Sequence, residues 1–194
     1  MKLVFATGNT NKLREAKEIL GPGFEILSFT DIGFSGDIAE PWPTLEENAL
    51  VKARFIFEKY GLDCFSDDSG LEVEVLNGLP GVQSAFFAGP DRDSLANMNK
   101  LLLEMKAHTN RSARFRAVVA LIIAGREFLF EGIVNGEISD APAGTGGFGY
   151  DPIFVPDGFS QTFGQLPGTV KNSLSHRAMA TLKLKNFLQH QNYK

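Results

Sequence analysis

Cysteine is nearly absent from this chain. With only Cys64 among 194 residues, no disulfide can close within it, and the apolar neighbours of Cys64 fit a core position in a reducing compartment. Cysteine and histidine nowhere cluster with the spacing of a zinc site. Long apolar runs are missing too: none approaches the roughly 20 residues that span a bilayer. Met1-Lys2-Leu3-Val4-Phe5-Ala6 enters a strand-like run with no secretory apolar region before it. The expectation is a soluble cytoplasmic protein with no membrane partner. Positive charge is short as well: 19 Lys plus Arg stand against 23 Asp plus Glu, for a net charge of −4, which argues against nucleic acid as a partner. An anionic substrate would need a local basic patch. Repeats and low-complexity tracts do not occur.

What remains is enough for one domain, residues 1–194, able to bury roughly 70% of its unfolded surface. Its most unusual stretch is Phe65-Ser66-Asp67-Asp68-Ser69-Gly70-Leu71, where two carboxylates and a hydroxyl interrupt apolar sequence. Adjacent carboxylates that are partly buried raise each other's pKa unless a cation or ordered hydrogen bonds relieve them. Leu71 to Val75 alternates apolar and charged residues, which places the acidic pair at a strand margin. Two readings fit: a divalent metal site, or an Asx-type turn with no metal.

Leu3 to Thr7 reads as a strand, Gly8-Asn9-Thr10-Asn11 as a turn, and Lys12 to Leu20 as a helix. Free amides at such a helix start, with Thr7, Asn9 and Lys12, suit phosphate oxygens, although an ordinary strand-to-helix connection looks the same. A Walker A loop is excluded by the missing second glycine before the lysine. Glu25 to Ser28 reads as a strand and Asp31 to Pro43 as a loop. A helix then runs from Thr44 to about Tyr60, with Leu45, Ala49, Ala53, Ile56 and Phe57 on one face. Thr44 and Glu47 form a capping box, a structural role that competes with any catalytic one for Glu47. Asn48 and Lys52 share a surface one turn apart, where a solvated polar face is the ordinary cause.

Asp91 to Lys106 is expected to be a helix burying Leu95, Met98, Leu102 and Met105. Ala113 to Ala124 and Glu127 to Val134 read as a hairpin joined through Gly125-Arg126, and Arg111, Arg114 and Arg116 as a solvated strand edge. Gly132 and Gly136 mark a bulge or bend. The glycine-rich loop from Ala141 to Gly149, ending at Tyr150-Asp151-Pro152, suits closure on a planar ligand. Ile153 to Val155 is a short strand and Pro156 to Val170 irregular. Ser175 caps a last helix that buries Met179, Leu182, Phe187 and Leu188, so His176 and Arg177 fall where the helix dipole disfavours cations and an anionic or acceptor-rich ligand would offset them.

Taken together, Thr7-Gly8-Asn9 with Lys12, Glu47-Asn48-Ala49 with Lys52-Ala53, Asp67-Asp68-Ser69-Gly70-Leu71, Gly147-Phe148-Gly149-Tyr150-Asp151-Pro152 and Ser175-His176-Arg177 resemble the inosine triphosphate pyrophosphatase family. The resemblance implies an elongated, two-lobed α/β fold with a long central mixed, largely antiparallel sheet, flanking helices and a cleft between the lobes, assembled as a homodimer. It implies Mg²⁺-dependent hydrolysis of ITP, dITP and XTP to the monophosphate and pyrophosphate. By motif match, Asp68 is the base and a metal carboxylate, with Glu47 the other. Thr7, Gly8, Asn9, Thr10, Asn11, Lys12, Ser69 and Lys171 would face the triphosphate, with Lys52 adding positive charge. Phe148, Gly149, Tyr150 and Asp151 would line the base pocket, read by His176 and Arg177. Two departures stand out: Phe86 where many relatives carry arginine, and Gln165 where many carry glutamate. Rival readings are a Maf-type pyrophosphatase for other modified nucleotides and a regulator that holds a triphosphate without cleaving it.

Overall fold

The computed structural model describes residues 1–190, and among these the apolar patterning resolves into six sheet strands and five α-helices. In chain order they are β1 (Lys2–Phe5), α1 (Thr10–Leu20), β2 (Glu25–Leu27), α2 (Leu45–Tyr60), β3 (Cys64–Val73), α3 (Ser94–Met105), β4 (Ser112–Ile123), β5 (Arg126–Ile138), β6 (Phe154–Pro156), α4 (Gly168–Leu174) and α5 (His176–His190). The strands form one sheet in the order β2-β1-β3-β4-β5-β6. It is mixed, as expected: β1 runs parallel to β2 and to β3, and β5 runs antiparallel to β6. β4 and β5 are neighbours joined by a two-residue turn, a connection open only to antiparallel strands.

Two compact units divide the chain. The first comprises Met1–Asp68, Ala117–Gly132 and the segment from Arg177; the second comprises Ser69–Arg116 and Ile133–His176. The chain passes between them within β3, β4 and β5 and again at the start of α5. In the first unit Phe5 and Phe65 are register partners, and their rings stack with centroids 4.4 Å apart. Around them pack Leu3, Leu20, Ile26, Val119, Leu121 and Leu184. Every residue of β4 from Ala117 to Ile123 is buried, the mark of a strand covered on both faces. The hairpin turn sits one residue earlier than expected, at Ala124-Gly125, with both residues at positive φ (49° and 72°). That geometry matches the twist of a two-residue hairpin. Alanine there costs about 1 kcal/mol, and the Asp63 carboxylate anchors the turn by accepting the Ala124 N–H at 2.9 Å.

The second unit's core gathers Leu71, Val73, Met98, Leu101, Met105, Phe115, Phe154 and Phe163. Phe115, Phe154 and Phe163 pack ring against ring. Opposite Pro156, Gly136 marks a close approach of β5 and β6, because a Cβ there would overlap the Val155 carbonyl.

Several expectations need correction. Asp67 and Asp68 lie inside the ten-residue strand β3, not in a turn at its margin, which removes the Asx-turn reading. Arg114 pairs with Glu72, and Arg111 donates to the Ile138 and Ser139 carbonyls. β4 has neighbours on both sides, so these arginines hold a strand in place and do not guard an edge. The buried face of α3 is Asn97, Met98, Leu101 and Met105, with Leu95 61% exposed. In α5 it is Ala178, Ala180, Thr181, Leu184 and Leu188 that turn inward, while Met179 and Leu182 are exposed. Residues 168–170, expected to be irregular, open α4, which ends where Ser175 turns to ψ 153°.

Candidate active site

In the first unit the side chain of Asp67 is almost wholly buried and surrounded by cations. Lys12 Nζ on α1 lies 3.0 Å from each of its carboxylate oxygens, and Arg177 Nε on α5 lies 3.1 Å from Oδ2. Burial opposes the charge on Asp67, but Lys12, Arg177 and Lys52 outweigh it and hold the carboxyl well below the usual carboxylate range. Arg177 Nη1 also donates to Glu15 Oε2 at 2.8 Å. Glu15, Asp67 and Arg177 are all buried, so this is a closed interior set with Lys12 as its most exposed member. Burial lowers the Lys12 ammonium pKa, with Asp67 pulling the other way.

Asp68, the next residue of β3, behaves differently. Burial pushes its carboxyl up to about 6, against the pull of Lys52 and Lys12 and with the repulsion of Glu40 and Asp67. Beside Asp67, the acidic side chain that acts on Asp68 is Glu40, in the loop before α2, a residue the sequence reading passed over. Glu40 pairs with Lys52, whose Nζ also donates to the Asp67 carbonyl oxygen at 2.6 Å. Glu47, the expected second carboxylate, is exposed in the first turn of α2, where its N–H meets Thr44 Oγ1 at 3.3 Å as the capping box requires. Asn48 and Lys52 occupy the buried face of α2, not a solvated one. Asn48 pins the loop before the helix by accepting the Trp42 N–H and donating to the Trp42 carbonyl.

The start of α1 departs from the expected cradle of free amides. Asn9 Oδ1 caps the helix by accepting the N–H groups of Asn11 and Lys12, and Thr7 Oγ1 accepts the Asn9 N–H. Gly8, Asn9, Thr10 and Asn11 are exposed, and Gly8 has open space beside its Cα.

A family of this kind implies a divalent metal, and the donors can be tested for it. Among the described residues no three His, Cys, Asp or Glu side chains form a ready cage. Mg²⁺ needs no such cage: it takes hard oxygen ligands, commonly one or two carboxylates completed by substrate phosphates and water. Glu40 and Asp68 are two carboxylates whose charges act on one another, and burial raises the Asp68 pKa, which an added cation would relieve. The donor set fits.

The second unit carries a different arrangement. Asp151 Oδ2 accepts the Phe148 N–H at 2.6 Å and pairs with Lys171 Nζ at 2.7 Å. Lys171 also lies 4.7 Å from the centre of the Phe148 ring, whose residue is 38% exposed. Gly147 takes φ +73°, and a Cβ there would fall onto the Asp151 carboxylate, so the loop reaches this shape only with glycine at that position. The Tyr150 hydroxyl donates to the Ser84 carbonyl at 2.9 Å, and burial raises its pKa. His176 is buried with its ring stacked on Phe115 at 4.7 Å. Ser69, which opens this unit, is half-buried.

Two of the expected site residues lie in different units. Lys171, expected at the triphosphate, pairs with Asp151 and lies against the Phe148 ring in the second unit. Arg177, expected as a base reader, belongs to the first unit, where Nε donates to Asp67 and Nη1 to Glu15. The two departures have local explanations. Gln165 Oε1 accepts the Thr162 N–H at 3.0 Å, which needs only an oxygen, so Gln and Glu serve alike. Phe86 is exposed and carries the Arg92 guanidinium over its ring at 4.7 Å, returning a cation to that position.

A profile of the Ham1 family matches residues 3–187. The chain belongs to the Ham1 family. Among Ham1 relatives, the dITP/XTP pyrophosphatase of Flavobacterium johnsoniae is 47% identical over 188 residues, covering 97% of this chain and 98% of its own. The dITP/XTP pyrophosphatase of Bacillus licheniformis is 44% identical over 191 residues, covering 96% of this chain and 97% of its own. The structure of the Staphylococcus aureus Ham1 protein superposes with a TM-score of 0.92 at 35% identity, over 99% of this chain and 100% of that one. The match to the Ham1 family is what the five sequence motifs led one to expect.

Proposed function

We propose that this Ham1 protein is a Mg²⁺-dependent nucleoside triphosphate pyrophosphatase that hydrolyses deaminated purine nucleotides, ITP, dITP and XTP, to the monophosphate and pyrophosphate, with its full length acting as one catalytic domain. The observation that carries the reading is the contrast within β3: Asp67 is locked as a carboxylate by Lys12 and Arg177, while Asp68 is pushed up to about 6 beside Glu40 and Lys52. A carboxyl tuned toward neutrality is suited to proton transfer, and paired carboxylates are suited to a metal.

Glu40 and Asp68 would hold Mg²⁺, which when bound supplies charge neutralisation on phosphate oxygens and lowers the pKa of water. The protein's own residues do the rest. Phosphoryl chemistry is mostly positioning and charge balance. Lys12, held by Asp67, and Lys52, held by the Asp67 carbonyl, meet the anionic triphosphate. Thr7, Gly8, Asn9, Thr10 and Asn11 would face the triphosphate, as would Ser69. Asp68 takes the proton of the water that attacks the α-phosphorus, so oxygen from water ends in the monophosphate. Phe148, Gly149, Tyr150 and Asp151 take the planar base, and the buried His176 supports that unit from within. Lys171 can only donate, which suits the carbonyl at position six of hypoxanthine and xanthine and not the amino group of adenine.

A homodimer in the cytoplasm completes the proposal, with small-molecule triphosphates as the partners. A light-scattering mass of twice the chain mass supports the dimer, and a mass equal to one chain removes it. The function is tested by turnover on ITP, dITP, XTP, ATP and GTP with and without Mg²⁺, in heavy-oxygen water. Label in the inosine monophosphate with unlabelled pyrophosphate is expected. Label in pyrophosphate, or no turnover of any deaminated nucleotide, would overturn it.

A further inference from the structure

Lys52 stands on the buried face of α2, its side chain only 10% exposed. Its ammonium donates to the Asp67 carbonyl at 2.6 Å and pairs with the Glu40 carboxylate. Of the charges that act on the Asp68 carboxylate, that of Lys52 ranks first. One compact cation thus serves a backbone oxygen and the Glu40 carboxylate while its charge acts on Asp68, the kind of oxygen set that a small, hard divalent ion also takes. Take the ammonium away and the mutual repulsion of Glu40 and Asp68 has less to offset it.

We propose that Lys52 is the built-in counter-ion of the metal-free site. It holds Glu40 and Asp68 in place before a metal enters and releases Glu40 when a divalent cation arrives. It keeps its hydrogen bond to the Asp67 carbonyl, so that its charge then faces phosphate. This rests on the metal reading of Glu40 and Asp68 given above. The consequence is a change of sign: Lys52 competes with metal in the nucleotide-free protein and cooperates with the substrate in the loaded one. A purely structural lysine would weaken folding without this reversal.

The test uses nucleotide-free protein stripped with chelator and titrated with Mn²⁺ alone, followed by calorimetry and by the emission of Trp42, the single tryptophan. Lys52→Met should lower the melting temperature in chelator and bind Mn²⁺ about tenfold more tightly than the parent, a fold-change that corresponds to about 1.4 kcal/mol. In the same variant KM for ITP should rise. Lys52→Arg, which keeps the charge, should bind Mn²⁺ no more tightly than the parent, and Lys52→Gln repeats the neutral case if the methionine variant does not fold. Unchanged or weaker Mn²⁺ binding in a folded neutral variant overturns the counter-ion role while leaving the metal reading intact. A parent protein that takes no Mn²⁺, matched by an equally inert Glu40→Gln, removes the metal reading and this inference with it.

Discussion

The two units handle polarity in opposite ways. In the first, Lys12, Glu15, Glu40, Lys52, Asp67, Asp68 and Arg177 crowd charge against charge around one strand and the helices beside it. In the second, one buried ion pair, Asp151 with Lys171, supports an exposed ring, and the neighbouring histidine stacks on a phenylalanine. The first pattern suits a polyanion and a metal, where Coulomb forces dominate. The second suits a flat, nearly neutral base, where shape and a single donor decide. Under the proposed function this becomes a division of labour, with chemistry assigned to the charged set and discrimination among bases to the aromatic set.

Substitutions can break that division, and the largest effect is expected at Asp68. Asp68→Asn keeps the shape and removes the charge, so ITP turnover with Mg²⁺ should fall by about 10³-fold; near-parental turnover would dismiss it as the base. Glu40→Gln comes next, with a loss of about 10- to 100-fold that rising Mg²⁺ partly restores, while Glu47→Gln should stay within about twofold because its contact is a helix cap made by its backbone. A reversed order would return the metal role to Glu47. Arg177→Ala strands Asp67 and Glu15 in the interior and should cost about 3–5 kcal/mol of stability. Measured well below its melting temperature, it should lose activity on ITP and ATP by the same factor; a selective loss on ITP would make Arg177 a base reader after all. Asp151→Asn should be milder in turnover, raising KM for ITP several-fold through a loosened Phe148 loop, as steady-state kinetics would register.

Much of this was legible in the residues themselves. The five motifs named the family, the Thr44 and Glu47 box marked the start of α2, and the run from Ala113 to Ala124 announced the first strand of a hairpin. Glu40 was not legible, because it lies in a loop with no periodicity and its partner Lys52 comes 12 residues later. The partners of Arg177 were hidden for a related reason: sequence shows a cation at a helix start, but only the fold shows that Glu15 on α1 and Asp67 on β3 reach it. The faces of α3 and α5 slipped because large apolar side chains were weighted over Asn97, Thr181 and the alanines. Asn97 is buried because it accepts the Ala88 N–H and donates to the Ala85 carbonyl, a tie that hydrophobicity cannot report.

The division of labour is tested most directly by one paired measurement: kcat/KM for ITP and for ATP in Lys12→Met and Lys171→Met, each of which removes an ammonium and keeps an apolar stem. Lys12→Met should depress both substrates alike and leave the ITP to ATP ratio at its parental value. Lys171→Met should lower that ratio by at least about tenfold, because a donor facing the six-carbonyl is what separates the two bases. A ratio that moves with Lys12 and holds steady with Lys171 would contradict the account.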